Sequence, residues 1–84
     1  MLVQHPMRTI QVRPSRNPRW SKQRGWEVFE GDGVSAVLCD EHARDSALSY
    51  ARQRAGYGRA EIQMLDEAWN VVETIGNEET RPLV

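Results

Sequence analysis

The sequence predicts an α+β domain: a small, mainly antiparallel sheet of about five strands with one helix packed on one face, in the order βββαββ. Three observations carry that expectation. Residues 40–56, DEHARDSALSYARQRAG, bring Ala43, Ala47, Leu48, Ala51 and Ala55 back at three- and four-residue spacings, which sets them on one side of a helix. Short β-branched and aromatic runs lie on either side of it. Between two of those runs, Gly31-Asp32-Gly33 supplies the left-handed conformations that a tight hairpin demands.

Taken in order, residues 1–7 have no periodicity and end near Pro6, so a flexible N-terminus is expected there. From Arg8 to Arg13, Ile10 and Val12 alternate with Thr9, Gln11 and Arg13, the period-2 pattern of a half-buried strand closed by Pro14. Residues 14–24 then read as a long basic loop around Trp20, and a loop of such length in a small domain is either functional or mobile. Trp26 to Glu30 forms the next strand, with Trp26 and Val28 on one face. Val34, Ala36 and Leu38 of the return strand are expected to share that face.

Asp40 stands where a helix N-cap is wanted, and Gly56 where a C-terminal stop tolerates positive φ. After the helix, Ala60, Ile62 and Met64 alternate with Glu61, Gln63 and Leu65. Residues 66–69 make a turn, and Val71 and Ile75 are in phase along a last strand. The domain is thus expected to span residues 8–76, with residues 77–84 as a flexible tail.

The chain has 84 residues, of which 39% are hydrophobic and 27% charged, so one globular domain is expected and wholesale disorder is not. Its apolar runs fall far short of the roughly 20 residues a membrane span needs, and Met1–Met7 lacks the apolar stretch of a signal peptide, which makes the cytoplasm the expected compartment. A single cysteine excludes an internal disulfide. With only His5 and His42 beside Cys39, neither a zinc site nor any cofactor is expected.

The net charge of −1 conceals a division. Arg8, Arg13, Arg16, Arg19, Lys22 and Arg24 stand in residues 1–26 without an acid; residues 27–84 hold all twelve acids against Arg44, Arg52, Arg54, Arg59 and Arg81. Such asymmetry suits a polyanionic partner, and equally two attracting surfaces of one fold or of a dimer.

The stretches Gly25-Trp26-Glu27-Val28, Ala47-Leu48 with Ala51-Arg52, Ile62-Gln63-Met64-Leu65-Asp66 and Asn70-Val71-Val72-Glu73 follow one another in a pattern that resembles the short bacterial domains grouped as domain of unknown function 2188. There a GW-x-V strand, an alanine-bearing helix and a closing hairpin occur in this order. The resemblance covers roughly residues 9–76, with Ser46 where that family usually has an acid and Glu67-Ala68-Trp69 in place of its Asp-Gly turn. It implies a compact α+β fold with no established activity and carries no catalytic residue onto this chain.

Two binding surfaces are candidates. Arg8, Arg13, Arg16, Arg19, Lys22 and Arg24, with Trp20 among them, can meet phosphates and stack on unpaired bases. Trp20 and Trp69 are candidate interface residues, because a domain this small encloses about one indole, taken here as Trp26, and exposed tryptophan is enriched at interface hot spots. Cys39 and His42 do not read as a nucleophile and base, since Asp40 and Glu41 rather than cations lie beside them. The adjacent acids Asp66-Glu67 and Glu78-Glu79 read as solvated charges, and the glycine pairs lack the following helix of a phosphate loop. The expected function is therefore non-enzymatic: a protein-interaction or self-association module, a homodimer included, working through a sheet edge and exposed tryptophan. The alternative is a nucleic-acid-binding accessory domain.

Overall fold

A computed structural model describes residues 8–56 and 60–76; the expectations for residues 1–7, for Tyr57-Gly58 and for residues 77–84 lie outside the described residues. The elements run β1 (Arg8–Pro14), α1 (Pro18–Ser21), β2 (Trp26–Phe29), β3 (Val34–Leu38), α2 (Ala43–Ala55), β4 (Ala60–Leu65) and β5 (Val71–Ile75). The strands form one sheet in the order β3-β2-β1-β4-β5. Three of its pairings are antiparallel; the central one, β1 with β4, is parallel and sets Ile10 beside Ile62 and Val12 beside Met64. This is the α+β layout the sequence predicts, with a mixed sheet. The parallel pair is a consequence of the crossover through α2, which returns the chain to the end of the sheet where β1 begins.

The core lies between the sheet and α2. Ile10, Val12, Val28, Ile62 and Met64 are fully buried on the helix side, and Ala43, Ala47, Ala51 and Ala55 face them. Because alanine has no side chain beyond Cβ, the helix axis can come close to β1, β2, β3 and β4. Trp26, Leu38, Leu48 and Tyr50 are half-buried and close the rim of this cluster. Trp26 is therefore a rim residue rather than an enclosed one.

Four local expectations need correction. The first concerns the helix start: α2 begins at Ala43, and Asp40 lies outside it, accepting from His42 N at 2.8 Å and from Ser46 Oγ at 3.3 Å. The second concerns residues 14–24, which contain the single-turn helix α1, N-capped by Asn17 and carrying Pro18 at its first position, where a missing N–H costs nothing. The other two are β-bulges in the outer strands. Val28 pairs with Ala36 but Phe29 with Val34, leaving Ser35 unmatched; Met64 pairs with Glu73 but Leu65 with Val71, leaving Val72 unmatched. One extra residue reverses the alternation. Val34 consequently leaves the face of Trp26 and Val28, and Val71 falls out of phase with the buried Ile75; both valines are exposed.

Candidate functional site at the tryptophan-bearing end

The strand directions gather the chemistry at one end of the sheet. Pro14 at the end of β1 lies beside Trp26 at the start of β2, Trp26 lies beside Leu38 at the end of β3, and β4 runs parallel to β1 toward Leu65. The connections 15–25, 39–42 and 66–70 therefore emerge together. They and the strand ends beside them carry all three tryptophans, Trp20, Trp26 and Trp69.

The connection 15–25 is a closed structure. Asn17 Oδ1 accepts from Arg19 N at 3.0 Å and starts α1. Trp20 O then accepts from Gln23 N at 3.0 Å and Gly25 N at 2.9 Å, and Ser15 N donates to Gly25 O at 2.8 Å, sealing the base. Arg24 takes a left-handed φ of 55° to make the return. Gly25 is required here: a Cβ would stand 3.1 Å from Trp20 O, from Trp20 Cβ and from Cys39 Sγ.

The turn 66–70 is organised by Asp66. Its Oδ1 accepts from Ala68 N and Asn70 N, both at 2.9 Å, and its backbone O accepts from Trp69 N at 2.9 Å. Trp69 is driven to a φ of 64°, a region that glycine enters freely and tryptophan does not. From there its indole Nε1 donates to Pro14 O at 2.8 Å. The ring also receives two guanidinium groups, Arg13 Cζ at 3.9 Å and Arg16 Cζ at 4.2 Å from its centroid.

Arg13 is the hub of the sheet face turned away from α2. Its Nε donates to Glu27 Oε2 at 2.8 Å, its Nη1 to Gln11 Oε1 at 3.0 Å, and its Cζ lies 4.1 Å from the Phe29 centroid as well as over Trp69. Only 12% of the Arg13 side chain and 8% of the Glu27 side chain reach solvent. Along the same face Gln11 donates to Gln63 at 3.2 Å and Thr9 to Glu61 at 3.5 Å. A polar face that satisfies its own hydrogen bonds in this way can remain in water without a second layer.

The sequence's seven-residue polyanion set is thereby divided. Arg13 is consumed by Glu27. Arg8 stands at the opposite end of the sheet, 3.1 Å from Glu30 Oε1 and donating to Arg54 O at 3.0 Å. Arg16, Arg19, Lys22 and Arg24 are exposed on the connection, and none has a carboxylate partner among the described residues. Trp20 is half-buried beside them with Arg19 Cζ at 4.7 Å from its ring, and Trp69 is half-buried under its two arginines.

Two open clefts flank Trp26. One, of about 630 Å³, is lined by Arg16, Ser21, Arg24 and Glu67; the other, of about 540 Å³, by Cys39, Asp40, Glu41, His42 and Arg44. His42 Nε2 lies 3.5 Å from Glu41 Oε1 on the surface, and no group of three His, Cys, Asp or Glu residues able to hold a metal ion occurs among the described residues.

At the far end, Glu30 bridges Arg8 and Arg54, the latter with Nε at 3.0 Å. Burial pushes its carboxyl up, but hydrogen bonds from Arg54 and Ser35 and the charges of Arg54 and Arg8 outweigh that, holding it below the usual carboxylate range.

Among the described residues the two sheet edges are β3 and β5. On β5, Val71 is 48% and Val72 59% exposed, adjacent in sequence and outside the strands on which α2 mainly packs. The cluster of Arg13, Glu27, Phe29 and Trp69 went unread in the sequence. The alternation of β1 and β2 puts Arg13, Glu27 and Phe29 on one face, and that was the available signal; the return of Trp69 from a distant turn had none. No described helix is long and apolar enough to cross a membrane. Comparisons with protein families, curated proteins and solved structures find no match to this chain.

Proposed function

We propose that this protein is a non-enzymatic self-association module in which two copies pair along β5. The observation that carries the reading is the edge itself. Val71 and Val72 lie exposed on a strand whose outer backbone groups face away from the sheet. β5 is built of Val71, Val72, Glu73, Thr74 and Ile75, with no proline or lysine to block pairing. An antiparallel, two-fold pairing that centres on Val72 sets that residue opposite its own symmetry mate and keeps the two Glu73 carboxylates from facing each other. Backbone hydrogen bonds would supply cohesion, and each valine, already about half covered in the monomer, would add about 1 kcal/mol on losing its remaining exposure.

The bulge at Val72 works in the other direction, since a kinked edge pairs less readily than a flat one. The expected dimer is accordingly weak, in the range of tens to hundreds of micromolar. Neither candidate tryptophan takes part in this pairing: Trp69 is held within the chain by Pro14, Arg13 and Arg16, and Trp20 stands on the β1–β2 connection, separated from β5 by β4.

The reading includes a cytoplasmic location and the kinship with domain of unknown function 2188. The latter is supported by a GW-x-V strand at β2, an alanine-faced helix at α2 and a closing hairpin at β4 and β5. Sedimentation velocity over a wide concentration range tests the central claim. The wild-type sedimentation coefficient should rise with concentration, and the Val71→Lys, Val72→Lys double variant should remain monomeric with an unchanged circular dichroism spectrum. A wild-type protein that stays monomeric throughout, or a variant that associates equally well, removes the proposal.

A further inference from the structure

We infer that the β1–β2 connection is a binding site for single-stranded nucleic acid, with Arg16, Arg19, Lys22 and Arg24 meeting phosphates and Trp20 offering a stacking surface. This is a second surface, and it does not depend on β5 pairing.

The connection displays cations that the fold leaves without a counter-charge. The other two cations of the basic segment, Arg8 and Arg13, are bound to Glu30 and Glu27 at 3.1 and 2.8 Å, whereas these four are exposed and have no carboxylate partner among the described residues. Each is therefore free to release counterions from a phosphate chain, the main source of affinity in such contacts. Three acids share clefts with these cations without forming an ion pair to them: Glu67 lines the cleft of Arg16 and Arg24, and Asp40 and Glu41 line the neighbouring one, to which Arg24 also contributes.

The connection is also an ordered one. A solubilising loop would be a loose coil, yet this connection is sealed by Ser15 N to Gly25 O at 2.8 Å and folded on the Trp20 carbonyl, and Trp69 stacks on Arg16 at 4.2 Å. Cations displayed on a fixed frame lose less conformational entropy when a ligand arrives.

The choice of single strands over duplex follows from shape. α1 has four residues and cannot fill a major groove, while the Trp20 ring carries the exposed Arg19 guanidinium at 4.7 Å, a stacking place that an unstacked base can take over as Arg19 turns to a phosphate.

The test is fluorescence anisotropy with labelled oligo(dT), oligo(U) and blunt duplex DNA of about twelve nucleotides per strand. Single strands should bind with micromolar affinity at about 50 mM salt and roughly 50-fold more weakly at about 200 mM, as expected for four phosphates with a slope near −0.7 per contact. Arg16→Gln with Arg24→Gln should reduce that slope by about 1.4. Trp20→Ala should weaken binding about tenfold at every salt concentration without changing the slope. Ser49→Glu with Gln53→Glu, on the exposed side of α2, is the control for net charge and should leave most of the affinity. The inference is overturned by absence of binding at the lowest salt, by an unchanged slope in the Arg16 and Arg24 variant, by duplex bound as tightly as single strands, or by equal weakening in the control. Sedimentation of the Arg16 and Arg24 variant should match the wild type, which separates this outcome from the fate of the β5 proposal.

Discussion

Trp69 Nε1 donates to the backbone carbonyl of Pro14 across 2.8 Å, joining residues 55 positions apart in the chain. That bond locks the turn after β4 onto the end of β1 and explains how a tryptophan persists at a φ of 64°. The left-handed region costs an L-residue about 1–2 kcal/mol, and here it is held by the ring's bond to Pro14, its contacts with Arg13 and Arg16, and the three backbone groups gathered by Asp66.

Replacement of Trp69 should therefore separate ring from backbone. Trp69→Phe keeps an aromatic face for the guanidiniums but leaves Pro14 O without its donor, a loss of about 1 kcal/mol in urea unfolding. Trp69→Ala should lose more, and Trp69→Gly should be about 1 kcal/mol more stable than Trp69→Ala because glycine enters positive φ without strain. An alanine variant as stable as the glycine one would show that the turn relaxes out of this conformation.

Glu27→Gln should be among the most damaging single changes on the open face. It leaves the Arg13 guanidinium, 12% exposed, without its counter-charge, and breaking one side of a buried pair costs about 3 kcal/mol. Arg13→Met with Glu27→Gln should recover part of the loss, since no unpaired charge then remains. Chemical denaturation of the two variants measures both.

Gly25→Ala brings a methyl group to 3.1 Å from the Trp20 carbonyl, a backbone atom that cannot swing aside, and from Cys39 Sγ. Destabilisation of about 1–3 kcal/mol is expected. A fall in single-strand affinity should accompany it, because the frame that displays Arg16 and Arg24 opens. A thermally unaffected variant would mean that the connection shifts freely.

Glu30 predicts a pH dependence. Its carboxyl is held below the ordinary range when folded, so its contribution is present above the unfolded carboxylate value near 4.3 and is lost as pH falls through the lower folded value. With both arginine partners about half exposed, solvent screening keeps the contribution small. Glu30→Gln should thus be slightly less stable than wild type at neutral pH, with the difference vanishing in strong acid. A difference that persists unchanged below pH 3 would assign it to packing instead of charge.

The helix, the strands and their succession along the chain were legible because each depends on local spacing; which strands lie side by side was not, since the parallel pairing of β1 with β4 joins segments far apart in the chain. Alanines at 43, 47, 51 and 55 mark a face in any fold, and Ile10, Val12, Ile62 and Met64 alternate whatever they pair with. The two bulges were not legible, since an unmatched Ser35 or Val72 is a property of two strands in register and neither residue signals it alone. The site divides in the same way. Six cations in a run are visible in the sequence; that Glu27 and Glu30 remove two of them depends on pairings 14 and 22 residues distant. Trp69 looked free because its partners lie at the other end of the chain.

The parallel pairing of β1 with β4 bears on how this protein is made. Thr9 and Glu61, neighbours across the centre of the sheet, are 52 positions apart, so the middle strand leaves the ribosome long before the neighbour that completes it. Until then β1 can be held on one side only, by the β2–β3 hairpin, and its other flank stays open to unintended partners. Docking of β4 closes the largest chain loop in the sheet and is the step expected to set the folding rate.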